Sequence, residues 1–358
     1  MEKLVSIVIP NFNYGHFIKQ TLDSAVHQTY VNIEIIVVDD CSTDNSVSII
    51  QEYVDKYDNV KLYKNKNNLG VVGNHNRAIE LSNGEYICVL SSDDYLDVRF
   101  IEECVNRFDE HPTVGMVVSA MHLVDDKGNV TDANNYYGSS FMCKGIYQCK
   151  VFLMSNTFVP SQVLFKRECI ENPLVGGAFS DFADVFIDTD LWYRICLHYD
   201  FLYFDKRLCY YRSYIGSYSK SYSNLKGAMQ YYLLRQRWVQ LAKDNMYLQK
   251  YGEEAMRRTP LFCIRTIWQL LSHIDDDENN SITARRYLRL AEAMDPNICN
   301  SEYFVLVENA IDAKKIEDIK KYKYAEDVYL DSLKSKESKA VTNCAPYALP
   351  DHAVLIDV

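Results

Sequence analysis

The sequence predicts an α/β protein, a three-layer α/β/α sheet domain followed by a helical appendage. Three observations carry that expectation. Short β-branched apolar runs alternate with amphipathic stretches over residues 5–110. Several of these runs stop on carboxylates or on Pro-Asn. From residue 225 onward the apolar period becomes helical throughout.

Val5–Ile9 is apolar, β-branched and ended by Pro10, which reads as a first strand buried on both faces. Asn11-Phe12-Asn13-Tyr14-Gly15 follows as a loop, and Ile18, Leu22, Ala25 and Val26 then recur at helical spacing. Ile33–Val38 is a second buried strand ending on Asp39 and Asp40. Ser42 or Thr43 caps the helix after it, which runs to Tyr57. Val60–Tyr63 is a third strand, 65–73 a Gly/Asn loop and Asn74–Leu81 a short helix. Gly84 leads into a fourth strand over 86–90, and the adjacent Asp93 and Asp94 follow it. Strand–helix alternation of this length gives right-handed crossovers and a parallel sheet. The ends of strands one, two and four then share one edge, where open α/β sheets bind ligands.

Neighbouring residues at a strand end point to opposite sides, so Asp93 and Asp94 are expected to do different jobs. Two hard oxygen ligands there suit Mg²⁺ or Mn²⁺ shared with a diphosphate. The plainer alternative is a solvated turn before a helix near Asp97. Neither G-x-G-x-x-G nor a P-loop is present. The edge offers carboxylates and an aromatic instead. That set suits a nucleoside, with a carboxylate on ribose hydroxyls or base N–H groups, an aromatic beside the base and a metal on the phosphates.

The 358 residues leave room for about two domains, and the pattern change divides them into 1–224 and 225–358. A net charge of −11 without a basic tract argues against a nucleic-acid partner. Eleven dispersed Cys without C-x-x-C fit reduced cytoplasmic thiols better than a disulfide framework. The first residues lack the apolar core of a signal peptide, and no apolar stretch approaches the roughly 18 residues that span a bilayer.

Taken in order, Val5–Asn13, Gln28-Thr29-Tyr30, Glu34–Asp44, Asn68-Leu69-Gly70 through Asn76, and Gly84–Ile87 leading to the acid pair resemble family 2 glycosyltransferases of the GT-A fold. The match runs through the first 110 residues and reappears at 186–219. The resemblance implies inverting transfer from a nucleotide-diphosphate sugar, with Mn²⁺ or Mg²⁺. It assigns the nucleotide to Pro10, Phe12, Asn13, Asp40, Asn68, Gly70, Asn76 and Asp93, and the metal to Asp94, as first choice for direct ligand, and Asp93. Two departures stand out. The usual Leu-Asp-x-Asp-Asp aligns with Leu90–Asp94, which puts Ser91 in place of its first Asp, and His75 replaces a common Arg.

Asp188-Thr189-Asp190-Leu191-Trp192-Tyr193-Arg194 resembles the family's Asp-x-x-Leu-Trp-x-Arg segment, whose Asp is the general base. Ile187 replaces the Glu that usually precedes it, and the plain alternative for Asp188 is a helix N-cap. Trp192 fits an acceptor-pocket wall or the core, and Arg194 fits a phosphate contact or an acidic neighbour. Leu208–Ser219 resembles the Tyr-Arg-x-His-x-x-Ser-x-Ser segment that closes the domain, with Tyr214 at its His. Arg212 or Lys220 is left for phosphate, and the Gly216–Ser219 loop is expected to order over the donor. Phe158–Gln162 is expected to face the cleft.

The expected donor is a UDP-sugar, with a dTDP-sugar next. The expected acceptor is a glycan or lipid-linked saccharide in surface polysaccharide or other glycan assembly, met in the cytoplasm or at the inner membrane face. Leu234, Trp238 and Leu241 begin the helical stripes of the last third, and Phe304, Val307 and Ile311 end them. Those helices have three candidate partners: the first domain, a second copy in a homodimer, or a membrane surface. Residues 334–343 read as a loose polar tail, and the apolar residues of 348–358 as a docking segment. The competing function is a non-catalytic carbohydrate-binding or scaffold protein on a decayed GT-A fold. Ser91, Ile187 and Tyr214 favour it; Asp40, Asp93, Asp94 and Asp188 oppose it. A sugar-nucleotide pyrophosphorylase would need a Gly-rich basic loop where Pro10–Asn13 stands.

Overall fold

Strands β1 (Val5–Asn11) and β2 (Ile33–Asp39) are buried along their whole length, as their unbroken apolar runs require. They pair in parallel, Val5 opposite Ile33 and Asn11 opposite Asp39. Strands β3 (Val60–Lys64) and β4 (Tyr86–Val89) flank them, also in parallel. Helices α1 (Ile18–Val26), α2 (Ser46–Lys56) and α3 (Gly70–Glu80) make the crossovers. These elements come from a computed structural model that describes residues 2–132, 137–154, 158–182, 186–214, 225–271, 279–300, 302–312 and 349–356. The Gly216–Ser219 loop, Lys220 and the polar tail 334–343 lie outside the described residues.

The third helix starts four residues ahead of the expected Asn74. Its first amide, Gly70 N–H, and that of Leu69 donate to the Asp40 carboxylate at 3.0 and 2.8 Å. An anion from a neighbouring strand thus satisfies amides that a helix start leaves unpaired.

The sheet then departs from the expected all-parallel form. After β5 (Tyr95–Leu96), α4 (Phe100–Glu110), β6 (Val114–Val124), β7 (Val130–Asp132), β8 (Phe141–Cys143) and α5 (Gly145–Met154), a 3₁₀ turn at Pro160–Gln162 delivers β9 (Val163–Lys166). That strand inserts between β4 and β6, antiparallel to both. A strand arriving from a tight turn, without a covering crossover helix, runs back along its neighbour. Helices α6 (Arg167–Glu171) and α7 (Ile187–Cys196) precede the long strand β10 (Asp200–Arg212). With β11 (Val354–Leu355), the order among the described residues is β11-β8-β10-β6-β9-β4-β1-β2-β3, with β5 on β10 and β7 on β6. Ile7, Ile35, Val37, Cys88, Leu90 and Phe100 anchor the core beside the sheet. Each such side chain contributes on the order of 1.5–3 kcal/mol.

The chain divides into two compact units, Met1–Ser217 with Asn343–Val358, and Tyr218–Thr342. The apolar end of the chain belongs to the first unit's sheet. Val354 pairs with Met142, and Ile356 N–H donates to the Ser140 carbonyl at 3.2 Å. The second unit holds α8 (Leu225–Leu241), α9 (Met246–Leu271), α10 (Asn279–Met294) and α11 (Glu302–Asp312). Ile267, Trp268, Leu271, Tyr287, Phe304 and Val307 form its core. Leu241, expected in the first stripe, is largely exposed, whereas Leu234 and Trp238 are fully buried. Among the described residues, no helix is long and apolar enough to cross a membrane.

Candidate functional site

Two loops leave the carboxyl ends of β1 and β2 and are bonded to each other. Asn11 Nδ2 donates to Asp39 Oδ1 at 2.8 Å and to Ser42 Oγ at 3.1 Å. Asn13, in the left-handed region at φ 59°, accepts the Thr43 N–H on Oδ1 at 2.8 Å. Its own N–H donates to Ser42 Oγ. Gly15 is required where it stands, because a Cβ there would lie 2.0 Å from Asn45 Oδ1. This bracing leaves Phe12 44% exposed at the sheet edge, an apolar ring held out by a rigid loop. Pro10 is buried in β1, and its carbonyl accepts the Ser92 hydroxyl at 2.9 Å.

Asp40, expected on the nucleoside, is buried with both oxygens occupied. Oδ1 accepts from Asn65 Nδ2 and Leu69 N, and Oδ2 accepts from Gly70 N. Its work is to cap α3 and fix the 65–70 loop. Asn68 completes that loop, donating to the Asp40 carbonyl and accepting from Gly70 N. Asn76 is paired instead with the backbone of Phe179, donating to its carbonyl at 2.8 Å and accepting from its N–H at 3.0 Å. His75 packs edge-on against Phe179 and shares Nδ1 with the Val71 carbonyl. Burial lowers its pKa to about 4, so no cation replaces the common Arg there.

The acid pair divides its work as the strand geometry predicts, but with the roles exchanged. Asp94, first choice for a direct metal ligand, is 1% exposed. Its Oδ2 accepts from Ser161 Oγ at 2.6 Å and its Oδ1 from Arg212 N at 2.8 Å. Burial, then the neighbouring Asp93, pushes its pKa well up. Asp93 is the more accessible carboxylate, and no side chain among the described residues donates to it. Burial raises its pKa to about 6, against its own backbone N–H and Arg212. Ser161 therefore reaches the acid pair from the 3₁₀ turn, in the segment expected at the cleft.

Arg212 is a strut and does not reach out to a phosphate. Nε donates to the Asp93 carbonyl, one terminal nitrogen to the Asp125 carbonyl and the other to Gln20 Oε1. Its guanidinium lies 4.4 Å from the centroid of the Phe17 ring. Tyr214 packs 5.4 Å from the same ring.

On α7, Asp188 is the second helical residue and not the N-cap, a position held by Phe186. Its Oδ1 accepts from Thr189 N at 2.7 Å and Thr189 Oγ1 at 3.3 Å. Burial raises its pKa to about 6, against those two hydrogen bonds. Trp192 is fully buried and donates Nε1–H to the Phe158 carbonyl at 3.3 Å, which makes it core. Arg194 is also buried. It pairs with Asp190 at 2.8 Å and donates to the carbonyls of Val175, Gly177 and Ala178. Neither side chain is open to an acceptor or a phosphate.

Among the described residues, no group of three or more His, Cys, Asp or Glu side chains could hold a metal by itself. An all-protein cage is thus ruled out for that set. The pair still fits a cation of the Mg²⁺ or Mn²⁺ kind, which takes one or two carboxylates and completes its shell with substrate phosphates and water. Asp93 supplies the accessible oxygen, and Asp94 fixes the turn beneath it.

Sequence reasoning did not single out Asn11, Tyr14 or Gln20. The polar character of Asn11 and Gln20 carried no signal of these particular partners. Tyr14 was one tyrosine among 28.

The family model described as glycosyl transferase family 2 matches residues 6–172. Chondroitin synthase of Escherichia coli is 34% identical over 133 residues, which is 37% of this chain and only 19% of that relative's length. Residues 1–349 of S. aureus TarS, solved in complex with UDP-GlcNAc, superpose with a TM-score of 0.58 at 17% identity, over 97% of this chain and 99% of that one. The mannosyltransferase PcManGT of Pyrobaculum calidifontis, solved with GDP-Man and Mn²⁺, gives 0.54 at 17% identity, over 94% and 89%.

Proposed function

From the premise that residues 6–172 are a family 2 glycosyltransferase domain, we propose that the protein is an inverting, metal-dependent glycosyltransferase using a nucleotide-diphosphate sugar. The observation that carries this reading is the sheet edge itself. It presents exposed Phe12 from β1 and accessible Asp93 after β4, on strands that lie side by side. An aromatic face for a base and an oxygen for a diphosphate-bound cation are the two elements such a donor requires. UDP is the favoured nucleotide, in keeping with the UDP-GlcNAc complex of TarS, and dTDP is next. The acceptor is a hydroxyl of a growing surface polysaccharide or lipid-linked saccharide, in keeping with the chondroitin synthase similarity. The work is assigned to the cytoplasm or the inner membrane face, with the 1–224 region catalytic and the 225–358 helices accessory.

In this mechanism Asp188 accepts the proton of the acceptor hydroxyl as its oxygen bonds to the anomeric carbon. The bond from that carbon to the diphosphate oxygen breaks on the opposite side, which inverts the centre. A single base suffices and contributes about 10²–10⁴-fold in rate. Phe12 orients the base of the nucleotide, and Asp93 supplies an oxygen toward the cation, with Asp94 and Arg212 holding its turn. A bound divalent cation supplies charge stabilisation to the leaving diphosphate.

The test is calorimetric titration with UDP, with and without Mn²⁺, followed by screening of UDP-sugars for UDP release. Metal-dependent UDP binding is the expected result. Failure of UDP, dTDP and GDP alike to bind would remove the enzyme reading and leave the scaffold reading.

A further inference from the structure

We infer that the phenols of Tyr14 and Tyr214 form the hydrogen-bonding wall for the donor's diphosphate, an inference that rests on the reading above. The two side chains come from separate elements. Tyr14 lies in the loop between β1 and α1, and Tyr214 two residues beyond β10. Both are tied to the acid pair through Phe17. Tyr214 packs on that ring, Arg212 stacks on it, and Arg212 is bonded in turn to Asp93 and Asp94. The Tyr14 carbonyl accepts the N–H groups of Phe17 and Ile18 at 2.9 Å, which fixes the phenol to the start of α1.

The two hydroxyls bond to each other, with Tyr14 donating and Tyr214 accepting. That bond does not use the hydroxyl hydrogen of Tyr214, which can be aimed at a ligand. Burial and the charge of Asp93 push both phenols up, so both are protonated donors at neutral pH. A diphosphate presents only acceptors and needs such donors. The other described candidates are engaged elsewhere. Each guanidinium nitrogen of Arg212 bonds to Asp93, Asp125 or Gln20. Arg194 holds the 175–178 carbonyls, Asn76 holds Phe179, and His75 is neutral and bonded to Val71. A mere latch between the loops would need only the rings, and Phe would serve it as well as Tyr.

The experiment compares wild type with Tyr14→Phe and Tyr214→Phe. UDP is titrated calorimetrically with Mn²⁺, uridine is measured by competition with UDP, and a thermal melt is recorded for each protein. The inference expects each variant to bind UDP about tenfold more weakly, the loss of one hydrogen bond to a charged group. Uridine affinity and melting temperature stay at wild-type values. UDP binding equal to wild type in both variants overturns the inference and leaves the glycosyltransferase reading intact. Equal losses for UDP and uridine, or a lowered melting temperature, also overturn it, because the pair would then be a structural latch. Absence of UDP, dTDP and GDP binding by wild type removes the underlying reading and this inference with it.

Discussion

The backbone N–H of Arg212 donates to Oδ1 of Asp94 at 2.8 Å, joining the end of β10 to the turn after β4 across 118 residues of chain. Ser161 takes the other oxygen at 2.6 Å. A carboxylate so enclosed organises its turn and leaves the ligand chemistry to its neighbour, Asp93. Asp93→Asn is therefore expected to abolish the Mn²⁺ dependence of UDP binding while the protein melts at or above the wild-type temperature. Asp94→Ala strands the Arg212 amide and the Ser161 hydroxyl, at a cost of about 1–3 kcal/mol. Calorimetry with thermal melts separates the two. Loss of metal dependence in a stably folded Asp94 variant alone would reverse the assignment.

Asp188 predicts the pH dependence of transfer. The base works ionised, so kcat/KM should rise through about pH 6 and level off above it. Stability runs the other way. The folded pKa lies above the unfolded one, so this group's contribution is fully present below about pH 4 and is lost as pH rises through about 6. Asp188→Asn is expected to lower the transfer rate by about 10²–10⁴-fold. It should also remove that part of the pH dependence of melting. A pH–rate profile and melts at pH 5 and 7.5 check both signs, and a variant that keeps the wild-type rate would exclude Asp188 as the base.

The parallel half of the sheet was legible because a strand buried on both faces reads as an unbroken apolar run, as at Ile33–Val38. Local signals stop there. Helix α3 begins at Gly70 because a carboxylate 30 residues upstream caps it, and no window around Asn74 contains that information. Arg194 and Arg212 looked like phosphate ligands because residue type shows a charge and hides its partners. The partners are backbone carbonyls of Val175, Gly177 and Asp125, which have no signature in sequence. The antiparallel β9 and the returning β11 follow from tertiary pairing, which apolar runs of three or four residues do not specify. What survived from sequence to site was the placement of Phe12, Asp93 and Asp94 at strand ends.

Phe12 offers a direct test of the nucleotide edge. Its ring is 44% exposed on a loop held by Asn11 and Asn13, so truncation removes little buried surface. Phe12→Ala should leave the melting temperature within a degree or two of wild type. UDP affinity should fall by about tenfold or more, since stacking of a base on an aromatic contributes roughly 1–3 kcal/mol. Unchanged UDP affinity would move the base to a different wall of the site.

Arg194 separates a strut from a ligand. Its guanidinium and the Asp190 carboxylate are 3% and 0% exposed, and the same group gathers three carbonyls of the 175–178 segment. Removing one partner of a buried pair costs about 3–5 kcal/mol, because the remaining charge loses its counter-ion. Arg194→Ala should therefore unfold at markedly lower urea. Arg194→Lys should fall between the two, since an ammonium keeps the charge but cannot span the carbonyls and Asp190 together. In the fraction that stays folded, UDP affinity should match wild type. A phosphate ligand would give the opposite result, with weaker UDP binding at unchanged stability, so urea midpoints and UDP titrations on the same three proteins distinguish the roles.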